Sequence, residues 1–278
     1  MEKVKQITYK KFSKKFGVVD ADLVGKGIFT QEDFEELQKL SGYLKGSERV
    51  LNIVKNIPAI LQNLGSYLKG FKQAVSNQVK DLEKFSEDDA KDLKDRYPIN
   101  DYVQKASIVA SFKPKNILEI GTFHGWGTAS IKAASPKATV YTMNPKETAT
   151  ANNPIELQKI GRVCREKGLK IKQIWADSTK YDYSKLPKID VAYIDGNHTY
   201  DFVYKDLENI SKIARKAIVL DDYIPNESSP RGGVRAWGPW NESVVKAVDD
   251  FLKDNPKLFK EAYWLENTPI CVLIVNHK

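Results

Sequence analysis

The chain has 278 residues, 41% of them hydrophobic, and a formal net charge of +8 with a pI near 9.1. That apolar fraction supports a sizeable core and excludes a disordered chain, and the length suits one large domain plus an accessory element. No run approaches the roughly 18–20 apolar residues of a membrane span. The start, Met1-Glu2-Lys3-Val4-Lys5-Gln6, lacks an apolar signal core, so a cytoplasmic protein is expected. Two cysteines, Cys164 and Cys271, have no metal-ligand spacing, which points to a reducing compartment with neither a disulfide framework nor a zinc site. The positive charge fits an anionic partner such as RNA or a membrane surface. A Lys- and Glu-rich surface of the kind seen in heat-adapted organisms fits better, because the basic residues are scattered apart from pairs such as Lys10-Lys11 and Lys14-Lys15.

In chain order, residues 1–97 read as a mostly helical element. Thr30 caps a helix whose first turn holds Glu32 and Asp33, and Phe34, Leu37, Leu40 and Leu44 follow at helical spacing. A second periodic stretch runs from Val50 to Leu64 with a break or kink at Pro58, and a third from Leu68 to Leu82. With no chemistry-bearing cluster, this element is expected to form a lid, a wall of a substrate pocket or a dimer surface.

Residues 98–278 alternate strands and helices, the sign of an α/β domain with a mostly parallel sheet. The pattern predicts a helix over 101–112, a strand over 116–120 and a helix-like stretch over 128–134. A strand over 138–143, a helix over 154–167 and a strand over 170–175 follow. Further strands are expected over 190–194 and 217–220 with a helix over 202–214 between them. A helix over 244–252 and two closing strands, 263–265 and 270–275, complete seven strands flanked by helices. No internal repeat or low-complexity tract interrupts the pattern.

The most informative segment is Ile117-Leu118-Glu119-Ile120-Gly121-Thr122-Phe123-His124-Gly125-Trp126-Gly127. A strand that runs into a glycine-rich turn and a helix lets backbone approach a nucleotide where a Cβ would clash. The dinucleotide fingerprint has different glycine spacing and an acid about 20 residues later. Here the acid, Glu119, stands two residues before the first glycine, a place that suits a ligand with an ammonium group. The segment resembles the first motif of the class I S-adenosylmethionine-dependent methyltransferases. The resemblance implies a Rossmann-like fold with S-adenosylmethionine held by Glu119, Gly121, Thr122, Phe123, Gly125 and Gly127. It also implies a ribose-binding acid at the second strand tip, where this chain has Asn144, and an adenine contact at Asp177 and Ser178. Asn144 departs from the family pattern by lacking the charge that strengthens such a bond.

Two further strands run into Asp195-Gly196-Asn197-His198 and Asp221-Asp222-Tyr223. Neighbouring strands lie about 4.8 Å apart, so three carboxylates would gather at adjacent tips and repel one another. A hard divalent cation relieves that repulsion, and oxygen ligands favour Mg²⁺. The plainer alternative is that one aspartate caps a helix and another is solvated. Asp-Gly-Asn-His-Thr-Tyr, a helix with Asp206 and a strand ending in Asp-Asp-Tyr resemble the small-molecule O-methyltransferases of the catechol and macrocin types, over about residues 98–275. Proteins called cephalosporin hydroxylases share the pattern. The resemblance implies Asp195, Asp221 and Asp222 as metal ligands, Asp195 also near the cofactor, and His198 as general base, its ordinary pKa of about 6.5 suiting the task. His124 is expected beside the cofactor loop and His277 at the surface. The stretch 224–240, with Arg231, Arg235, Trp237 and Trp240, either folds over a substrate or packs on the N-terminal helices.

The expected function is methyl transfer to a small-molecule hydroxyl. An RNA or protein methyltransferase and a non-catalytic cofactor-binding scaffold stay open as alternatives, and a homo-oligomer is compatible with the N-terminal helices.

Overall fold

The computed structural model describes residues 4–18, 98–146, 157–225, 240–265 and 268–276. The predicted helices between residues 30 and 82, residues 226–239 of the aromatic and arginine-bearing stretch, and His277 lie outside them. Contacts divide the chain into two units, one of residues 1–28, 102–229 and 237–278, the other of 29–101 and 230–236. The first unit holds the sheet.

Eight strands form that sheet, one more than the sequence pattern predicts. They are β1 (Lys5–Ile7), β2 (Asn116–Ile120), β3 (Thr139–Asn144), β4 (Lys172–Trp175), β5 (Ile189–Ile194), β6 (Ala214–Leu220), β7 (Phe259–Leu265) and β8 (Cys271–Val275), in the order β1-β7-β8-β6-β5-β2-β3-β4. The unforeseen strand is β1, which pairs in parallel with Tyr263–Leu265. Three residues, Lys-Gln-Ile, are too few to show an alternating pattern, so only the partner strand reveals it. Strand β8 runs antiparallel to both β6 and β7, and the remaining pairs are parallel.

Among the described residues the helices are α1 (Tyr9–Phe16), α2 (Pro98–Ser111), α3 (Trp126–Ala134), α4 (Arg162–Glu166), α5 (Tyr200–Ile210) and α6 (Trp240–Asp254). The expected helix over 154–167 is interrupted: a 3₁₀ turn at Leu157–Lys159 is followed by a bend at Gly161 and then α4. The helix expected to reach Ala214 stops at Ile210, because the amide of Ile189 bonds the carbonyl of Ile213 and pairing with β5 captures the chain early. Among the described residues no helix is long and apolar enough to cross a membrane.

All six residues of β5 are buried, as in a strand covered on both faces. Alternation splits the core into two layers. Leu118, Ile120, Ala192, Ile194, Ile218 and Leu220 pack with α5 and α6 residues such as Leu207 and Phe251. Ile117, Val191, Tyr193, Ala217 and Val219 pack with Phe12 of α1 and Ile108 and Val109 of α2. The same alternation sends Glu119, Asp195 and Asp221 towards the second layer. Strand β2 lies between β3 and β5, so strand order reverses there and opens a crevice at the carboxyl ends.

Candidate functional site

A cavity of about 850 Å³ occupies that crevice. Its walls include Glu119, Gly121, Thr122, Phe123, Gly125 and Gly127 from the first tip, Asn144 from the second, Asp177 and Ser178 from the third, and Asp195 and His198 from the fourth. Every residue expected to touch a cofactor therefore borders one space. Asp221 and Asp222 stand just behind it, joined to its wall through Lys105, Tyr193 and His198.

The turn after β2 is built by close approach. Gly121 has φ +101°, and a Cβ there would fall 1.9 Å from the carbonyl oxygen of Asp195. A Cβ on Gly127 would fall 2.7 Å from the Glu119 carboxyl, so the helix α3 can start against that acid only without a side chain. Thr122 and Thr142 share a hydroxyl–hydroxyl bond of 2.7 Å that ties the turn to β3. The Asn144 side-chain oxygen accepts from the Phe123 amide at 3.1 Å and its amide donates to the Pro145 carbonyl at 3.0 Å. Asn144 thus braces the glycine turn.

Glu119 is 1% exposed. One carboxyl oxygen accepts from the Thr128 hydroxyl and, at 2.5 Å, from the Thr142 hydroxyl. Burial pushes its pKa up to about 8, against which the two threonines pull only in part. At the third tip, Asp177 accepts from the Thr179 amide at 2.9 Å and hydroxyl at 2.7 Å and pairs with Lys180. Its slight burial raises the pKa, but these donors outweigh it and hold the carboxyl below its usual value. The Ser178 carbonyl receives the Tyr183 hydroxyl at 2.9 Å.

At the fourth and fifth tips the aspartates meet cations supplied by the protein. The His198 Nε2 lies 3.3 Å from Asp195 Oδ1 and its Nδ1 lies 3.2 Å from Asp222 Oδ2. Nε2 is buried and makes no aligned hydrogen bond. Burial alone lowers the imidazole pKa, but the pairing with Asp195 and the charges of Asp222, Asp195 and Asp221 lift it to about 9. Burial likewise raises Asp195, and His198, Lys105 and Tyr193 together hold it below the usual carboxylate range. Asp222 has φ +57°, a left-handed backbone that a non-glycine residue adopts at a cost on the order of 1 kcal/mol.

Lys105, on α2, forms a buried ion pair with Asp221. It was not among the residues expected from the sequence, although a signal exists. Lys105 shares a helical stripe with Ile108, Val109 and Phe112, at spacings of three, four and seven, so a lysine sits in an apolar face.

Residues 118–223 match the model of a family described as a methyltransferase domain. No curated protein matches the chain. Among solved structures, the chain is similar to an O-methyltransferase from Bacillus cereus in complex with SAH, at 15% identity and TM-score 0.48, over 73% of this chain and 97% of that one. It is also similar to an SAH-bound methyltransferase from Podospora anserina, at 16% identity and TM-score 0.45, over 77% of this chain and 100% of that one. At these values the likenesses bear on neither substrate nor mechanism.

Proposed function

We propose that this chain, a protein whose residues 118–223 match a methyltransferase domain family, transfers a methyl group from S-adenosylmethionine to a hydroxyl of a small molecule. The observation that carries the reading is the cavity at the strand tips. It combines a glycine cradle that a Cβ would fill, a buried carboxyl facing the cradle, and an imidazole just beyond the neighbouring strand tip. Its volume suits a nucleoside-sized molecule and part of an acceptor.

When bound, S-adenosylmethionine supplies an electrophilic methyl group on a sulfonium. Glu119 is placed to pair with an ammonium group, its threonine bonds fixing the carboxyl plane. The turn from Gly121 to Gly127 offers backbone close to the ligand, and Asn144 keeps that turn in place. Asp177 and Ser178 close the third side. His198 is the group offered for the acceptor's proton. In the arrangement described it is an imidazolium at neutral pH, so it accepts a proton only after losing its own.

The divalent cation implied by the resemblance does not fit these residues as they stand. Among the described residues no group of three His, Cys, Asp or Glu side chains is placed to hold a metal ion. The oxygens it would need already face donors: Lys105 and the Asp222 amide on Asp221, Tyr193 on Asp195, and His198 beside Asp195 and Asp222.

Calorimetric titration with S-adenosylmethionine and its demethylated product, on wild type and Glu119→Gln, tests the reading. Micromolar binding by wild type, weakened in the variant, supports it and directs a screen of hydroxylated acceptors for O-methyl products. No binding by wild type removes it.

A further inference from the structure

We propose that the Lys105 ammonium is the resident cation of this site, occupying the charge position on Asp221 that a divalent metal would take, so that the native protein has no metal site there.

Lys105 is 2% exposed, and a buried ammonium persists only where a carboxylate meets it. Its position is enforced from several sides. Helix α2 brings it to the second core layer beside Ile108 and Val109, and its Nζ lies 5.5 Å from the Tyr102 ring centroid and 5.8 Å from that of Tyr193. Asp221 Oδ2 takes the ammonium, while Oδ1 receives the Asp222 amide at 2.9 Å. The Tyr193 hydroxyl gives its one proton to Asp195 Oδ2 at 2.8 Å and stands 3.4 Å from Asp221 Oδ2. Lys105, Asp221, Tyr193 and Asp195 thus form one connected chain from helix α2 to the cavity wall.

A Mg²⁺ ion demands oxygen ligands at about 2.0–2.1 Å in near-octahedral array and gives up its water reluctantly. To enter here it would have to displace an ammonium already bonded to the carboxylate, and leave that second positive charge in an aromatic, water-poor place. With the His198 imidazolium facing Asp195 and Asp222, the lysine on Asp221 does the electrostatic task assigned to a metal, offsetting the repulsion of the gathered carboxylates. Lys105 is a positioning residue, acting on the cavity through Asp221 and Tyr193. Only its consequence for catalysis rests on the methyltransferase reading; the charge assignment stands apart from it.

The test uses the full chain freed of metal with a chelator. Mn²⁺ is titrated by the loss of its free spin-resonance signal, and melting is followed with and without Mn²⁺. Wild type is expected to show no saturable Mn²⁺ binding below millimolar concentration and no change in melting temperature. Lys105→Ala is expected to melt roughly 10 °C lower, to gain a saturable Mn²⁺ site, and to recover part of the loss when that site fills. The gain should vanish in the double variant Lys105→Ala, Asp221→Asn. Lys105→Met, which keeps the apolar stem, supplies the same comparison if the alanine variant fails to fold. A purely structural role predicts the lower melting temperature but no gained metal site. Tight binding of one Mn²⁺ by wild type, abolished by Asp221→Asn, overturns the proposal, as does failure of both lysine variants to gain a site. Cofactor titration on the same wild-type sample separates the two readings, since its failure would remove the methyltransferase function and leave the metal result intact.

Discussion

On the proposed reading, in which Glu119 meets the ligand's ammonium group, cofactor binding is a proton-linked reaction whose size follows from the buried carboxyl. The free carboxyl titrates at about 8 because it is buried, whereas an ammonium ligand beside it requires the ionised form. Below that value the free protein carries the proton and binding must expel it. Full linkage gives release of about 0.9 proton at pH 7 and an affinity gain of about 30-fold between pH 5.5 and pH 7. The window stays below about 7.7–8.0, where the ligand's own α-amino group begins to lose its charge. Calorimetry in two buffers of different ionisation enthalpy measures the proton count directly. Glu119→Gln keeps the shape and an acceptor for the threonines but cannot ionise, so its affinity should be independent of pH over the window and about tenfold weaker at pH 7. The sign for stability is opposite. A raised carboxyl pKa stabilises the cofactor-free fold below the ordinary value of 4.5, and that stabilisation is lost as pH climbs through about 8. A flat affinity profile in wild type, or a slope that survives in Glu119→Gln, would refute the assignment of Glu119 to the ligand's ammonium.

Gly121→Ala should cost at least about 2 kcal/mol and most of the cofactor affinity, because its Cβ would fall 1.9 Å from a backbone oxygen at a positive φ; thermal melts and calorimetry read both effects. For methyl transfer, the rate constant at saturation should rise with pH through about 9 and lose that limb in His198→Gln; a limb near the ordinary histidine value of about 6.5 would show that the Asp195–His198–Asp222 cluster does not act as described. Asp206 on α5 is buried with no well-aligned hydrogen bond to either oxygen among the described residues, and burial, which the nearby Ser178 hydroxyl offsets only in part, raises its pKa to about 7. Its contribution to stability is present below the usual carboxylate range and is lost as pH rises through about 7. Asp206→Asn should therefore flatten the difference in unfolding free energy between about pH 5 and about pH 8, measured by denaturant titration.

Much of the fold was open to reading because its signals are local. An apolar run that ends at Gly121 marks β2 to the residue, since burial on both faces and the need for a side-chain-free turn act within a few positions. The parallel core and the tips that carry Glu119, Asn144, Asp177 and Asp195 follow from the same alternation of strand and helix. Elements decided by distant partners were not open in this way. Strand β1 exists because β7 offers it an edge, and the chain after Ile210 becomes strand because β5 takes its carbonyls. The site divides along the same line. Residue type and spacing placed the carboxylates at neighbouring tips, but the partner of each carboxylate depends on which side chains the packed helices bring there. Lys105 lies 116 positions from Asp221 in sequence, and only the docking of α2 on the sheet makes it the neutralising charge. The sequence therefore determined where negative charge gathers. The tertiary structure decided what balances it, because burial makes an unpaired charge so costly that the packing must supply a partner.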